Sequence, residues 1–472
     1  KVTVSVLYWS HRATVPVIER SALLMPLASG SGAGRGRGVA PTTRAVAPAG
    51  AGALAPRGTT STTAKAQGIR EDMAALNDEY FGRAPPVANS ADPAAAATAA
   101  TQGGRPELAR TLRDVRMPLA PSWAAGPANA EGRLMDASDA NLLCMDVRGD
   151  LVVAGGADHG LTVWNHRKGT KERTLFSKRC GHTEWVTSCA FTPDGKILSG
   201  GMDSALWLWN RAGATGDCLS HPSETHRAGI SNVAVNDSGI ALSSSYDRTV
   251  KVWNTNQRAN NAFLGTLSGH KQPVMHLLWR GHTVMSGDRQ GVCVLWDLER
   301  MASVTTLPTS GGQVGSIGAM IDDEFHLLFA GDQNGTVTGW DVRTDPKRPM
   351  MQKKLHPGGV VSSVHATTMN SDNFLITAGA DKVMHCFDPR SGFDQPLFTW
   401  TDHRDFIYGV HSHANMVFSS GGNGWLLAHD ADSGKCAYGL GAGKNAMRCI
   451  DTTDDRLVCA GDDGKIMAYD FV

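Results

Sequence analysis

Short apolar runs alternate with tight polar turns from about residue 140 to the C-terminus. Such runs, bounded by Gly, Asn and Asp, predict β-strands joined by tight turns. Each unit ends in a recurring dipeptide, usually an aromatic residue followed by Asp or Asn: Trp164-Asn165, Trp209-Asn210, Trp253-Asn254, Trp296-Asp297, Trp340-Asp341, Phe387-Asp388, His429-Asp430 and Tyr469-Asp470. Successive dipeptides are 45, 44, 43, 44, 47, 42 and 40 residues apart. A period of about 40 to 45 residues predicts one four-stranded propeller blade per unit, and therefore an all-β propeller of eight blades.

Inside the units, the same residue types recur at fixed offsets. Ser199, Asp203 and Trp209 stand at offsets 0, 4 and 10. The same offsets give Ser243, Asp247 and Trp253, then Thr377, Asp381 and Phe387, while Ala154, Asp158 and Trp164 keep two of the three types. A His precedes the first strand in five units, at His182, His226, His270, His356 and His403. Repetition in unit after unit indicates a structural role, because one active site would not recur.

This pattern resembles the WD-repeat family; it does not identify a subfamily. In that family the turn Asp, the His, the strand Ser or Thr and the Trp form a hydrogen-bonded tetrad inside one blade. The resemblance implies complete tetrads in units two and three: His182, Ser199, Asp203 and Trp209, then His226, Ser243, Asp247 and Trp253. Such a tetrad would leave no buried polar group unpaired.

Several units depart from the pattern. Gln290, Asn334 and Asn423 stand where the turn Asp is expected. Ser310 takes the His position of unit five, and His429 takes the Trp position of unit seven. We expect these blades to be less rigid.

Closure of the ring requires a strand from outside the repeats. Each unit supplies three inner strands, and the segment leading to the next unit supplies the fourth. Only two residues follow Asp470, so we expect the outer strand of blade eight to come from residues before 140. The candidates are residues 110–119 (RTLRDVRMPL) and 133–138 (RLMDAS). The propeller domain is therefore predicted to span residues 105–472, with 105–138 supplying the strand that removes the exposed sheet edge.

Residues 1–104 form an extension rich in Ala, Gly, Pro and Arg. Such a composition buries too little apolar surface to fold, so we predict disorder, with one short helix at residues 70–82. Residues 1–70 contain nine Lys or Arg and Glu19 as the one acid, a net charge of +8. An organelle transit peptide is the alternative interpretation of this segment.

The remaining residues carry 36 basic and 44 acidic side chains, a net charge of −8. An acidic body repels phosphate and argues against a nucleic-acid partner. No apolar run is long enough to cross a membrane. All nine cysteines lie between Cys144 and Cys459 without a C-x-x-C pair, which favours a reducing compartment and buried thiols, and gives no zinc motif.

Catalytic motifs are missing from the sequence. The run at 439–445 (GLGAGKN) resembles a phosphate-binding loop but has Tyr438 and Asn445 where Gly and a hydroxyl residue are needed. Neither G-x-S-x-G nor H-E-x-x-H occurs. We therefore predict a protein that is not an enzyme and that uses no cofactor, metal ion or small-molecule substrate.

Propellers of the WD-repeat family bind partners on the face formed by the loops before the first strand and between the second and third. At these positions the sequence has residue types enriched in interface hot spots: Trp185, Met202, Tyr246, Arg289 and Phe406. The alternative is that Trp185 and Tyr246 only cover the ends of their blades.

These observations predict a scaffold or adaptor that binds other proteins as a subunit of a larger assembly, in the cytoplasm or nucleus. A second hypothesis rests on Trp340-Asp341-Val342-Arg343, which resembles the W-D-x-R box of substrate receptors of cullin-RING ubiquitin ligases; Arg390 ends a similar run. Arg343 and Arg390 would then contact the ligase adaptor. A third is a complex subunit imported into an organelle.

Overall fold

The computed structural model describes residues 122–471, except for residues 178, 220–223, 281–282, 322–325, 346, 370–371 and 442–444. Within these residues, 32 strands form eight four-stranded antiparallel sheets. One short helix, α1 (Ser122–Ala125), precedes the first strand, β1 (Arg133–Asp136). Two single-turn 3-10 helices, Ala259–Asn261 and Pro389–Ser391, lie between strands.

Blades one to four are each built from four consecutive strands. Blade one contains β2 (Leu142–Arg148), β3 (Leu151–Gly156), β4 (Leu161–Asn165) and β5 (Thr170–Leu175). Blade two contains β6 (Val186–Phe191), β7 (Ile197–Gly201), β8 (Leu206–Trp209) and β9 (Gly216–Cys218). Blade three contains β10 (Ile230–Val235), β11 (Ile240–Ser245), β12 (Thr249–Asn254) and β13 (Phe263–Ser268). Blade four contains β14 (Val274–Arg280), β15 (Thr283–Asp288), β16 (Val292–Asp297) and β17 (Ala302–Pro308).

Blades five to seven repeat this order, and blade eight adds β1 at its outer edge. Blade five contains β18 (Val314–Ile321), β19 (His326–Asp332), β20 (Thr336–Asp341) and β21 (Met351–Lys354). Blade six contains β22 (Val361–Met369), β23 (Asp372–Gly379), β24 (Met384–Phe387) and β25 (Phe398–Trp400). Blade seven contains β26 (Ile407–His413), β27 (Met416–Gly421), β28 (Trp425–Asp430) and β29 (Cys436–Gly441). Blade eight contains β30 (Met447–Thr452), β31 (Arg456–Gly461) and β32 (Lys465–Asp470).

The first strand of every blade packs against the first strand of the next blade. The series runs from β2 through β6, β10, β14, β18, β22 and β26 to β30, and β30 also contacts β2. Each first strand carries a register shift near its start, as between Val186 and Ser188, which bends and twists the strand where it enters the sheet. The eight sheets therefore form a closed ring.

The hydrophobic core lies between neighbouring blades. The seam of blades one and two, for example, packs Val153 and Leu161 against Val186 and Phe191. Eight such clusters fill the eight seams of the described ring. Each blade thus depends on both of its neighbours for burial of its apolar side chains.

Closure of the ring uses the second of the two candidate segments. Strand β1 pairs antiparallel with β32, with Arg133 opposite Ala468 and Asp136 opposite Lys465. Met135 in this strand is 1% exposed and belongs to the seam between blades eight and one. The predicted eight-bladed, all-β propeller closed by an N-terminal strand is confirmed.

A second N-terminal contact was not predicted. Trp123 in α1 stacks on Phe471 at a ring-centroid distance of 4.0 Å, and its carbonyl oxygen accepts a hydrogen bond of 2.6 Å from the Tyr438 hydroxyl. The Trp123 side chain also lies 5.6 Å from the Phe418 ring and is 4% exposed. This tryptophan therefore fastens the segment before β1 to blades seven and eight.

The predicted disorder of residues 1–104, the predicted helix at 70–82 and the candidate strand at 110–119 lie outside the described residues. Of the helices in the described part, none has the length and apolar character needed to cross a lipid bilayer. None of the nine cysteines, all in the described part of the chain, forms a disulfide, and six of them are buried, as the sequence predicts for small apolar residues.

Candidate partner-binding face

The residues of the two predicted tetrads lie in hydrogen-bond contact. In blade two, His182 Nδ1 lies 3.0 Å from Asp203 Oδ1, and His182 Nε2 lies 2.8 Å from Ser199 Oγ. The Trp209 indole N–H donates to the same Oγ at 2.8 Å. The equivalent distances in blade three are 2.9 Å for His226 to Asp247, 2.8 Å for His226 to Ser243 and 2.8 Å for Trp253 to Ser243. Every one of these side chains is thus used in holding its own blade together.

Blade four has a complete tetrad, although the sequence predicts an incomplete one. Although Gln290 occupies the usual Asp position, His270 Nδ1 lies 3.0 Å from Asp288 Oδ2, two residues earlier. The position of Asp288 is close to the imidazole in the other blades as well. In blade two the equivalent residue is Gly201, and a Cβ added there would lie 2.5 Å from His182 Nδ1. A carboxylate can therefore reach the imidazole from either position, and blade four has a complete tetrad with Ser286 and Trp296.

The other blades keep parts of the set. In blade six, His356 contacts Asp381 and Thr377. In blades one and five a serine replaces the His: Ser138 donates to Asp158, and Ser310 donates to Asp332. Ala154 and Ala330 stand where these blades need a hydroxyl, and the indole N–H groups of Trp164 and Trp340 have no hydrogen-bond partner in the described part of the chain.

The tetrads set the charge state of their carboxylates. Burial by itself raises the pKa of Asp203, but the hydrogen bond and charge of His182 and the backbone N–H groups of Thr183 and Ala205 outweigh it, so that the pKa is lowered. The pKa of Asp247 is lowered more strongly. Burial again raises it, but His226, the Thr249 hydroxyl and the backbone N–H of Arg227 outweigh that effect. Both carboxylates therefore remain ionised acceptors at neutral pH.

The five predicted partner-binding residues lie on one face of the ring. This face contains the loops before each first strand and the turns between each second and third strand. In blade after blade, the turn residue donates its backbone N–H across the face: Met202 to Trp185 at 2.9 Å, Tyr246 to Gly229 at 3.0 Å, Arg289 to Pro273 at 3.0 Å and Gly422 to Phe406 at 2.8 Å. These hydrogen bonds fix the backbone from which each side chain projects.

Four of the five residues lie on the adjacent blades two to four, and we term them the aromatic-basic patch (Trp185, Met202, Tyr246 and Arg289). The Met202 sulfur lies against Gly229 of blade three, whose added Cβ would approach it to 2.9 Å. Burial raises the pKa of Tyr246 to about 12, although the nearby charge of Arg289 opposes the shift. All four side chains are half-buried, so that each presents part of its surface to solvent.

Exposed cations, which the sequence reasoning missed, lie beside the aromatic-basic patch in blades three and four. Arg227, Arg248 and Lys271 occupy loops of blades three and four on the same face, and all three are exposed. The acids between them, Asp247 and Asp288, are engaged by their tetrad histidines. On the same face, the loops of blades eight and one carry Asp139, Asp158, Asp462 and Asp463. Exposed cations also occupy the equivalent loops of blades six and seven, at Lys382 and Arg404, so blades three and four share their basic character with these two blades.

Phe406 lies apart from the other four residues, in blade seven. Its ring contacts that of Tyr408 at 4.7 Å, and the Arg448 guanidinium lies 4.8 Å from the Tyr408 ring. Arg448 in turn donates to Asp462 from its Nη2 at 2.8 Å. Phe406 thus belongs to a second cluster across the ring from blade three.

The two arginines of the ligase hypothesis have different surroundings. Arg343 is held by Asp341 of its own motif through Nε at 3.1 Å and Nη2 at 2.9 Å. Arg390 donates from Nη1 to Asp372 at 2.6 Å. Both side chains are about half exposed, at 47% and 46%.

Acid is expected to destabilise the propeller before its carboxylates titrate. Burial lowers the pKa of His276 to about 4, although the Val314 carbonyl opposes the shift. In the unfolded chain this histidine binds a proton near pH 6.5, whereas in the folded chain it stays neutral down to about pH 4. The stability of the folded state is therefore unaffected by this group above pH 6.5 and declines as the pH falls towards 4. One such histidine costs about 2 kcal/mol between pH 6.5 and 5. Urea unfolding at pH 7.5 and 5 should show this loss, and His276→Gln should reduce the difference; an unchanged difference would contradict it.

Comparison with known proteins agrees with this geometry. The family model "WD domain, G-beta repeat" matches residues 172–210, 216–254 and 261–297. These segments span most of blades two, three and four, the blades with complete tetrads.

Relatives match parts of the chain at low identity. "Transducin beta-like protein 3" of Bos taurus is 26% identical over 250 residues, covering 49% of this chain and 29% of the relative. The chain therefore spans less than a third of that protein's length. "Ribosome biogenesis protein WDR12 homolog" of Nematostella vectensis is 23% identical over 306 residues, covering 57% of this chain and 70% of the relative.

Among solved structures, the computationally designed Ika8 protein superposes with a TM-score of 0.61 at 21% identity, over 72% of this chain and 99% of the designed one. At this identity the likeness concerns the fold alone. The blades, their closure and their repeated hydrogen-bonded sets define a β-propeller assembled from repeats. In blades two, three and four the chain carries WD repeats, which the family model matches.

Proposed function

We propose that this propeller is a non-catalytic scaffold that binds a protein partner across blades two to four, as a subunit of a larger assembly. The observation that carries the proposal is the placement of the aromatic-basic patch on one face of three adjacent blades. Trp, Tyr, Met and Arg on a fixed backbone supply contact area at low entropic cost, which is the composition of interface hot spots. The His and Asp residues that could suggest catalysis are engaged in tetrads instead.

The charge around the patch defines the chemistry of the partner. Arg227, Arg248 and Lys271 are exposed beside it. We infer that the partner presents an acidic segment with at least one large apolar side chain, which would pack on Trp185 and Met202. Positive charge at the rim mainly accelerates and orients association, whereas the half-buried apolar groups limit dissociation.

We also propose which larger assembly contains the chain. One relative is named a ribosome biogenesis protein, which makes a ribosome-assembly complex a candidate, with a nuclear or cytoplasmic location for the chain. Affinity purification of the full chain with mass spectrometry of the captured proteins identifies the assembly. The same experiment would detect a ligase adaptor or organellar proteins. The ligase and import hypotheses remain predictions that no structural observation favours.

Loss of two patch residues is expected to abolish capture of the main partner. Trp185→Ala combined with Arg289→Ala should weaken binding roughly 100-fold or more, because truncation of a hot-spot residue costs about 2 kcal/mol or more. Both side chains are half-buried, so the melting curve should change little. Binding is measured by titrating the purified partner against the full chain.

Blade five offers the matched control. Gln313 has the position of Trp185 in its blade, Gln333 has that of Arg289, and the Gln333 N–H donates to the Gln313 carbonyl oxygen at 2.9 Å. Gln313→Ala with Gln333→Ala should leave binding unchanged. Retained binding in the Trp185 and Arg289 double variant would move the site elsewhere on the ring.

A further inference from the structure

Blade seven contains a buried imidazole that the tetrad does not use. His429 stands at the position taken by Trp in blades one to five, and its side chain is completely buried. Its Nε2 lies 3.3 Å from Asp402 Oδ2, while its Nδ1 has no hydrogen-bond partner in the described part of the chain. A buried polar ring in place of an indole is costly unless its nitrogens are engaged. A bound ligand at His429 would offset this cost.

A thiol lies beside this imidazole. Cys436 is the backbone partner of His429 across β28 and β29, next to a register shift at Ala428 and His429. One imidazole nitrogen, one Asp402 carboxylate oxygen and Cys436 Sγ all lie within 4.8 Å of one another. Ligand atoms around a tetrahedral zinc ion are about 3.4 to 3.7 Å apart, given bonds of about 2.0 to 2.3 Å. The 3.3 Å between His429 Nε2 and Asp402 Oδ2 is already close to that spacing.

The surroundings give such an ion both support and access. The Trp400 ring of blade six lies 5.0 Å from the His429 ring, and its indole N–H donates to the Gly434 carbonyl at 2.7 Å. This bond fixes the turn that leads to Cys436. Asp402 is exposed and Cys436 is half-buried, so an ion can enter from solvent between blades six and seven.

We propose that Asp402, His429 and Cys436 bind one Zn²⁺ ion, with a fourth position open to water or to a donor from another molecule. Imidazole, thiolate and carboxylate are the three side-chain ligand types that zinc accepts. The thiolate favours zinc over magnesium or calcium, which take oxygen ligands. The three residues are separated by 27 and 7 positions in the sequence. That spacing matches no zinc motif, which explains why the sequence predicts no metal site.

The test uses the purified full chain, stripped with a chelator and kept reduced. Titration with Zn²⁺ against a chromophoric chelator should give one tight site per chain, and Co²⁺ should produce a thiolate-to-cobalt charge-transfer absorption. Cys436→Ser should abolish that absorption, and Cys436→Ser, His429→Phe and Asp402→Asn should each weaken Zn²⁺ binding at least tenfold. Cys180→Ser, which removes a half-buried thiol elsewhere, should change neither.

His429→Phe separates metal binding from folding, because Phe387 occupies the equivalent position in blade six. This variant should fold, and its melting temperature should not respond to Zn²⁺, whereas that of the unmodified chain should rise. Absence of a tight site, or a cobalt absorption that survives Cys436→Ser, would overturn the proposal.

Discussion

A chain that begins at residue 140 is expected to be far less soluble, and to melt much earlier, than one that begins at residue 105. The shorter chain lacks β1, so β32 becomes an unpaired edge open to aggregation. It also loses Met135, which is 1% exposed, and Trp123, which is 4% exposed. Removing buried groups of this size costs about 2 to 5 kcal/mol each, so we expect a loss of about 5 kcal/mol or more.

Differential scanning calorimetry of the two chains measures this difference, with the full chain as reference. A chain that begins at residue 128 is the informative intermediate, because it keeps β1 and the hydrogen bond from Ala128 N to Asp470 O but lacks Trp123. Its melting temperature should fall between the other two. Coincident melting curves for the chains that begin at 105 and 140 would show that β1 does not stabilise the ring.

Asp247→Ala is expected to cost about 3 kcal/mol in the free energy of unfolding, because several buried hydrogen-bond donors would lose their acceptor. The Asp247 side chain is 8% exposed and bonds His226 Nδ1 at 2.9 Å. It also accepts from the backbone N–H of Arg227 at 2.9 Å and that of Thr249 at 3.0 Å. All of these donors would lose their acceptor together.

Asp158→Ala in blade one is the matched control for this change. Asp158 has the same offset in its unit, but it is exposed, and its side-chain partner is the hydroxyl of Ser138 at 2.7 Å. We expect a cost below about 1 kcal/mol, since water can replace a lost surface hydrogen bond. Equal losses in urea unfolding of the two variants would contradict the assignment of a stabilising role to the His-containing tetrads.

The tetrads and the proposed binding face are connected through the same loops. The tetrad Asp residues of blades two and three lie directly after Met202 and Tyr246, and they accept from backbone groups on that face. Tetrads therefore hold the turns that present the aromatic-basic patch. A face built in this way binds with little loss of loop entropy, which is the physical advantage of a rigid scaffold.

Tetrads could be predicted where the sequence keeps the regular spacing, and not where it shifts. In blades two and three the Asp stands four residues after the Ser, as in Asp203 and Ser199. In blade four the Asp stands two residues after Ser286, and only the position of the imidazole shows that Asp288 replaces Gln290. A Gly stands at the Asp288 position in blades one, two, six, seven and eight, and this was the available signal, because a glycine there, as at Gly201, leaves space for the turn carboxylate.

The sequence by itself determined the number of blades, the strand order within a blade and the tetrads of blades two and three. These features depend on residues within a single unit, so periodicity and offsets encode them directly. It also limited the closing strand to two segments. The approximate positions of the residues that we propose to face a partner followed from the family resemblance.

Only the tertiary structure decided which residues of different blades come into contact. It selected Arg133–Asp136 as the closing strand and placed Trp123 against Tyr438, 315 residues away. It also joined the aromatic-basic patch over blades two to four while separating Phe406, and it brought Asp402 to the His429 and Cys436 pair. Closing the ring fixes the distance between units, and local sequence patterns carry no information about such contacts.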